Sequence, residues 1–195
     1  NGTAVLGLGD IGPEAAMPVM EGKAVLFKQF GGVDAYPVCV DAPTVDEMIA
    51  VGRAIAPSFG GINLEDIKAP ECFEIEQRLQ EALDIPVFHD DQHGTAIVAR
   101  AAIINAAEVV GKHVVELTVA IVGTGAAGVG VAQLLFDARV GQDGTGDIIG
   151  VDSTGILHRD REGLTPTKQW FVDHGNCDER RGGVREALQG ADVLL

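Results

Sequence analysis

The chain has only three cysteines, Cys39, Cys72 and Cys177, odd in number and far apart, with no Cys-x-x-Cys pair. That excludes a disulfide framework and a thiolate zinc site. It fits small core cysteines in a reduced cytoplasm, the expected location. Lysine is scarce: five, against nine arginines. Twenty-nine acidic residues against fourteen basic ones leave a net charge of −15. Such a surface repels nucleic acid and anionic membranes, so neither is expected as a partner. It also repels an anionic substrate unless a metal and local cations reverse the field inside a cleft. The acid load suits a salty cytoplasm or an ordinary acidic enzyme equally. Apolar runs are short and broken, so no transmembrane helix is expected. Residues 1–9 lack the basic start of a signal peptide.

What is present reads as an α/β protein. The 195 residues are 46% apolar, enough for one large domain or two small ones. Ala4–Leu8 reads as a buried strand, and Pro13 suits the first turn of a helix that Pro18 kinks or restarts. Tyr36–Val40 is a second strand. Thr44-Val-Asp-Glu47 is a capping box opening a helix to about Ala56. Phe59–Leu64 and Pro86–Phe88 are strands, with a helix from Pro70 to Leu83 between them. A largely buried helix follows from Thr95 to Val110, then a strand over 114–122, a helix over 126–138 and a strand over 148–151. Residues 139–147 read as a loop, and Trp170 and Phe171 as an irregular region before a last helix near 183–188. Alternating strands and helices imply parallel sheets with helices on both faces. A domain boundary is placed near Gly94, giving domains 1–93 and 94–195. Both ends look cut inside strands, as in an internal segment of a longer protein.

The glycine turn is the first chemical signal. Val122-Gly-Thr-Gly-Ala-Ala-Gly128 follows an apolar strand and opens a helix. Gly123 permits a tight turn, Gly125 lets backbone approach a pyrophosphate, and Gly128 lets the helix pack close to the strand. Thr124, Ala126 and Ala127 complete the turn, whose N–H groups and helix dipole favour the phosphates. Asp152 lies 24 residues past Gly128, near where a carboxylate binds the ribose 2′-hydroxyl. Ser153 and Thr154 follow it rather than an arginine. A 2′-phosphate would then meet a carboxylate without a compensating cation, which favours NAD and leaves NADP possible.

Two acidic pairs precede that turn. Glu65-Asp66 closes Gly-Gly-Ile-Asn-Leu-Glu-Asp, and Asp90-Asp91 lies in Pro-Val-Phe-His-Asp-Asp-Gln-His-Gly-Thr-Ala. One pair alone is more often a solvated cap. Two pairs at the C-terminal ends of two strands can converge, because parallel sheets place their sites there. Clustered carboxylates suit hard cations such as magnesium or manganese. His89 and His93 flank the second pair at i, i+4, but the helical context of a two-histidine zinc site is missing. Lys23, judged by spacing alone, is one more solvated helix lysine.

Several runs together resemble the malic enzymes of prokaryotic type: residues 5–16, Met20-Glu-Gly-Lys23, residues 59–67, 86–96 and 123–128. The likeness covers nearly the whole chain and is weakest over 139–195. It implies a malate- and metal-binding domain followed by a Rossmann-like NAD(P)-binding domain, each partial. The implied reaction is oxidation of L-malate with NAD(P) and decarboxylation to pyruvate, using Mn²⁺ or Mg²⁺. By position, Lys23 is the implied general base on the C2 hydroxyl, with its pKa depressed by the metal. Glu65, Asp66 and Asp91 are the implied metal ligands, and Asp90 the acid that holds the lysine. A homo-oligomer is implied for the full-length protein. The family tyrosine that protonates the enolate belongs upstream of Asn1, and Tyr36 does not match it. Val5 stands where the eukaryotic branch has a substrate-binding arginine. The 195-residue segment alone is therefore expected to be inactive. Two other readings stand: a malolactic enzyme, converting malate to lactate without net redox, and a non-catalytic dinucleotide-binding segment.

Overall fold

The computed structural model describes residues 1–141 and 146–195. It divides into two compact units, Asn1–Asp91 and Gln92–Leu195. The expected loop over 139–147 falls in part on residues 142–145, outside the described residues. Among the described residues no helix is long and apolar enough to cross a membrane.

In the first unit, α1 (Gly12–Leu26) starts with Pro13 in its first turn, where a missing N–H costs nothing. Pro18 lies inside α1 without ending it. The chain widens into a π-type turn only at Phe27–Gly31 and stops at Gly32, in left-handed conformation. Helix α2 (Val45–Ile55) carries the expected capping box. The Glu47 N–H donates to Thr44 Oγ1, and the Thr44 N–H donates to the Glu47 carboxylate at 3.0 Å. Helix α3 (Glu71–Ala82) packs on α2, and Cys72, Ile75 and Leu79 are buried on it. The approach is close: a Cβ on Gly52 would lie 2.8 Å from Leu79 Cδ2. Each fully buried Ile or Leu here contributes about 1.5–3 kcal/mol.

Strands β1 (Ile62–Leu64) and β2 (Val87–His89) form a two-stranded parallel sheet. Their register pairs Leu64 with His89. The next residues, Glu65 and Asp90, therefore leave the same edge of the sheet. Two expected strands are not formed. Residues 4–8 make a tight turn in which Val5 bridges back to Gly9. Gly7 and Gly9 have φ of 78° and 76°, which reverses the chain, and Leu6 is 98% exposed. Residues 36–40 are not in a strand.

Helix α4 (Asp90–Val110) begins directly after β2, five residues earlier than expected. The division between the units falls in its first turn. The second unit has a four-stranded sheet in the order β5-β4-β3-β6. Strand β3 (Thr118–Val122) runs parallel to β4 (Asp147–Asp152) and β6 (Val193–Leu194), and β5 (Gly155–Ile156) is antiparallel to β4. The short antiparallel β5 was not foreseen. Helix α5 (Ala126–Asp137) follows β3, and α6 (Pro166–His174) holds Trp170 and Phe171, which were expected in irregular chain. Phe171 seats on Gly150 of β4, where any Cβ would lie 2.6 Å from its ring. Ala120, Ile149, Val151 and Ile156 pack with Ala187 of α7 (Val184–Ala187) in the core.

Candidate active site

The parallel register of β1 and β2 explains why two acidic pairs 25 residues apart converge. One oxygen from each of Glu65, Asp66 and Asp91 lies within 4.8 Å of the others. Asp66 has φ of 53°, a left-handed conformation that Asp tolerates better than most residues. It is held there from both sides. Its N–H donates to Asp91 Oδ2 at 2.8 Å, and its carbonyl accepts from the Thr3 N–H at 3.0 Å.

Lys23, on α1, reaches the same edge. Its Nζ lies 2.6 Å from Asp90 Oδ2 and 3.0 Å from Glu65 Oε1. Asn63 Nδ2 donates to the other Glu65 oxygen at 3.0 Å. Glu65, Asp90 and Lys23 thus form one chain of charge. Asp91, by contrast, meets the His89 ring, whose Nε2 is 3.3 Å from Oδ2.

Protonation follows the surroundings. Burial pushes the Glu65 carboxyl up, against the pull of Lys23 and Asn63, and Asp91 adds repulsion. Burial and the Asp91 charge push Asp66 up. Asp91 goes down: burial opposes, but His89 and the Asp66 N–H outweigh it. His89 is pushed up to about 10, because Asp91 and Cys72 outweigh the burial that favours its neutral form. Burial alone would lower Lys23, yet the hydrogen bonds to Asp90 and Glu65 raise it. A depressed lysine was expected beside a metal. That expectation belongs to the metal-bound site; between the two carboxylates by themselves the ammonium form is favoured.

The donor set fits a hard divalent cation. Three carboxylates crowd one spot, burial pushes two of them, Glu65 and Asp66, up, and buried Asp66 Oδ2 has no partner among the described residues. Oxygen donors of this kind hold Mg²⁺ or Mn²⁺. Neither His89 nor His93 belongs to the group, the one such group among the described residues. A cavity of about 640 Å³ in the first unit is lined by Lys23 and Glu65 at a polar edge and by Phe27, Tyr36, Val38 and Phe59 elsewhere.

The glycine turn lies in the second unit. Gly123 has φ of 110°. A Cβ on Gly128 would fall 1.9 Å from the Gly123 carbonyl oxygen, whereas a Cβ on Gly125 would meet nothing within 4 Å. The start of α5 has no side-chain cap, so Ala126 and Ala127 begin a helix whose first N–H groups lack intrahelical partners. Thr124 is buried, and its Oγ1 has no partner among the described residues. The register pairs Val122 with Val151, which puts Gly123 beside Asp152.

Asp152 is not the bare carboxylate that its neighbours in sequence imply. Arg161 grips it with two hydrogen bonds of 3.0 Å, and Lys168 Nζ is 2.7 Å from Oδ2. The Thr154 N–H and hydroxyl donate to Oδ1 at 2.9 and 2.8 Å. Burial opposes ionisation, but these partners hold the carboxyl well below the usual range. Two cations therefore compensate the charge, so the surroundings of Asp152 do not disfavour a 2′-phosphate as its sequence neighbours suggest. Arg161 and Lys168 lie 9 and 16 residues further on, beyond the local sequence around Asp152. Asn63, which donates to Glu65, and His89, whose ring lies beside Asp91, carry no signal in the sequence beyond their nearness to the acids.

Fold and site define an α/β protein with a dinucleotide-type strand–turn–helix and a carboxylate cluster. The family model for the malic enzyme N-terminal domain matches residues 1–45 and 42–80, and that for the malic enzyme NAD binding domain matches 92–190. The chain belongs to the malic enzyme family. It is 54% identical over its whole length to an NAD-dependent malic enzyme of Geobacillus stearothermophilus, of which it covers 40%. It is 47% identical to a bifunctional malic/malolactic enzyme of Bacillus subtilis, covering 47% of that protein. The crystal structure of an NAD-dependent malic enzyme from Thermotoga maritima superposes on the whole chain with a TM-score of 0.93 and 44% identity. The match spans 51% of that structure's chain. The chain thus spans about half or less of these relatives.

Proposed function

We propose that the chain carries the base, the cation ligands and the pyrophosphate turn of an enzyme that oxidises L-malate with NAD(P)⁺ and decarboxylates it to pyruvate and CO₂. The observation that carries this reading is Lys23 held between Glu65 and Asp90 beside the Asp66–Asp91 pair. Residues 1–93 are assigned to malate and metal, and 94–195 to the dinucleotide. Neutral Lys23 Nζ would accept the C2 hydroxyl proton, and bound NAD(P)⁺ would supply the acceptor for the C2 hydride. The β-keto acid so formed loses CO₂, and its enolate takes up a proton to give pyruvate. Asp90 keeps Nζ aimed by its 2.6 Å contact. Bound at Glu65, Asp66 and Asp91, Mn²⁺ or Mg²⁺ would neutralise carboxylate charge, withdraw support for the lysine's ammonium form and polarise the C2 oxygen. The uncapped start of α5 and the open face at Gly125 suit the pyrophosphate.

NAD is the proposed cofactor, with NADP admitted, since Arg161 and Lys168 offset the charge of Asp152. Proposed for the full-length protein are a cytoplasmic location and a homo-oligomeric state. The 195-residue segment alone is proposed to be inactive, because it spans 40% of the Geobacillus relative. The test is turnover of L-malate by the full-length protein with Mn²⁺ and either dinucleotide. Pyruvate and reduced cofactor in equal amounts are expected. Lactate without reduced cofactor would favour the malolactic reading, named by the Bacillus subtilis relative. Dinucleotide binding with neither product would favour a non-catalytic segment.

A further inference from the structure

His89 is the last residue of β2 and has 0% exposure. Its backbone N–H is anchored to Glu76 Oε1 at 2.9 Å, so the ring has little freedom to move away. Neither ring nitrogen makes a well-aligned hydrogen bond in the described structure, although Nε2 is 3.3 Å from Asp91 Oδ2. The contact is close but bent. A buried imidazole in that state is costly, and an apolar side chain would fill the same space more cheaply. The ring nonetheless has two polar neighbours, the Cys72 thiol and Asp91, and Nε2 lies against one oxygen of that carboxylate. That same oxygen accepts the Asp66 N–H at 2.8 Å. Asp91 Oδ2 is thus approached by two protein groups, and no donor to Oδ1 is present among the described residues.

We propose that His89 is a positioning residue for Asp91. With the hydrogen on Nε2, it fixes Oδ2 together with the Asp66 N–H, so that the carboxylate offers Oδ1 alone to the divalent cation. Asp91 becomes a one-oxygen ligand of set direction, and His89 acts on the cation only through it. Outer partners of this kind orient ligating groups, and they matter nearly as much as the ligands themselves. The inference rests on the reading of Glu65, Asp66 and Asp91 as cation ligands.

The test measures Mn²⁺ binding to the full-length protein by electron paramagnetic resonance, with no malate or dinucleotide present. His89→Leu should raise the Mn²⁺ Kd about 10–100-fold. In His89→Gln the amide nitrogen reaches the place of Nε2, and affinity should stay within about threefold. His89→Asn is polar but too short, and should weaken binding as Leu does. Adding His89→Leu to Asp91→Asn should change Kd by less than about twofold, because the two act through one contact. A merely structural histidine would give no such Gln–Asn contrast and no such coupling. If His89→Leu fails to fold, the Gln and Asn variants carry the comparison, and equal affinities in them overturn the proposal. Should Asp91→Asn bind Mn²⁺ as wild type does, the ligand reading itself falls and the role of His89 with it. Weakened binding in Asp91→Asn with unchanged binding in all three His89 variants overturns the role of His89 alone.

Discussion

Adding one methyl group at Gly128 or at Gly125 should separate packing from cofactor binding. In Gly128→Ala the new Cβ would sit 1.9 Å from the Gly123 carbonyl oxygen and 3.4 Å from Ile121 Cγ2. Ordinary contact begins near 3.4 Å, so α5 and the turn must part by roughly 1.5 Å, and the obstacle is backbone rather than a flexible side chain. Overpacking of this kind costs about 1–3 kcal/mol. With a urea slope of about 2 kcal/mol per molar, the unfolding midpoint of the second unit should fall by roughly 0.5–1.5 M. In Gly125→Ala the methyl meets nothing within 4 Å. The backbone there, φ −83° and ψ −159°, is open to alanine, so stability should hold or rise by up to about 1 kcal/mol. The methyl does occupy the face left clear for a pyrophosphate, so NADH affinity should fall at least about tenfold. Both variants of the full-length protein would be followed by urea unfolding and by NADH fluorescence titration. A Gly128→Ala midpoint equal to wild type would refute the packing argument. Unchanged NADH affinity in Gly125→Ala would refute the assignment of the turn.

Other outcomes follow from the same geometry. Lys23→Ala in the full-length enzyme should lower kcat by about 10²–10⁴ with a smaller change in KM for malate; a loss confined to KM would show that Lys23 is not the base. Asp91→Asn should raise the Mn²⁺ concentration needed for half-maximal turnover and leave NAD affinity nearly intact, and equal activity at limiting Mn²⁺ would remove it from the ligand set. Asp152 has a depressed carboxyl, so its stabilising effect is complete above the unfolded value of about 4 and is lost as pH falls through that value toward the folded one. Urea midpoints from pH 7 to pH 3 should therefore drop less steeply in Asp152→Asn than in wild type; parallel curves would mean that the Arg161–Lys168 clasp contributes nothing.

Local chemistry made much of this protein readable. The Thr44–Glu47 box caps α2 because both hydrogen bonds close within four residues. The glycine turn is readable because two of its glycines answer short-range demands: a positive φ at Gly123 and no room for a Cβ at Gly128. The run before Gly9 misled for the converse reason. Ala4-Val-Leu-Gly-Leu is apolar enough for a strand, but two glycines let the chain turn back. Pro18 was expected to kink or restart its helix, and α1 runs through it.

The catalytic reading depended on partners that no local window holds. Lys23 is 67 residues from Asp90, and its spacing on α1 says only that it is a helix lysine. The pairing of Leu64 with His89 sends Glu65-Asp66 and Asp90-Asp91 off one sheet edge, and register between strands separated by a helix is a property of the assembled sheet. Asp152 shows the same limit in its electrostatics. Its neighbours Ser153 and Thr154 imply an unpaired carboxylate, while the fold brings in Arg161 and Lys168 and reverses the local charge balance. The amino-acid sequence by itself determined which groups were available: the acids, the lysine, the glycines and the turns that display them. Tertiary structure alone decided which of them meet, because charge and coordination act over a few ångströms of space and are indifferent to distance along the chain.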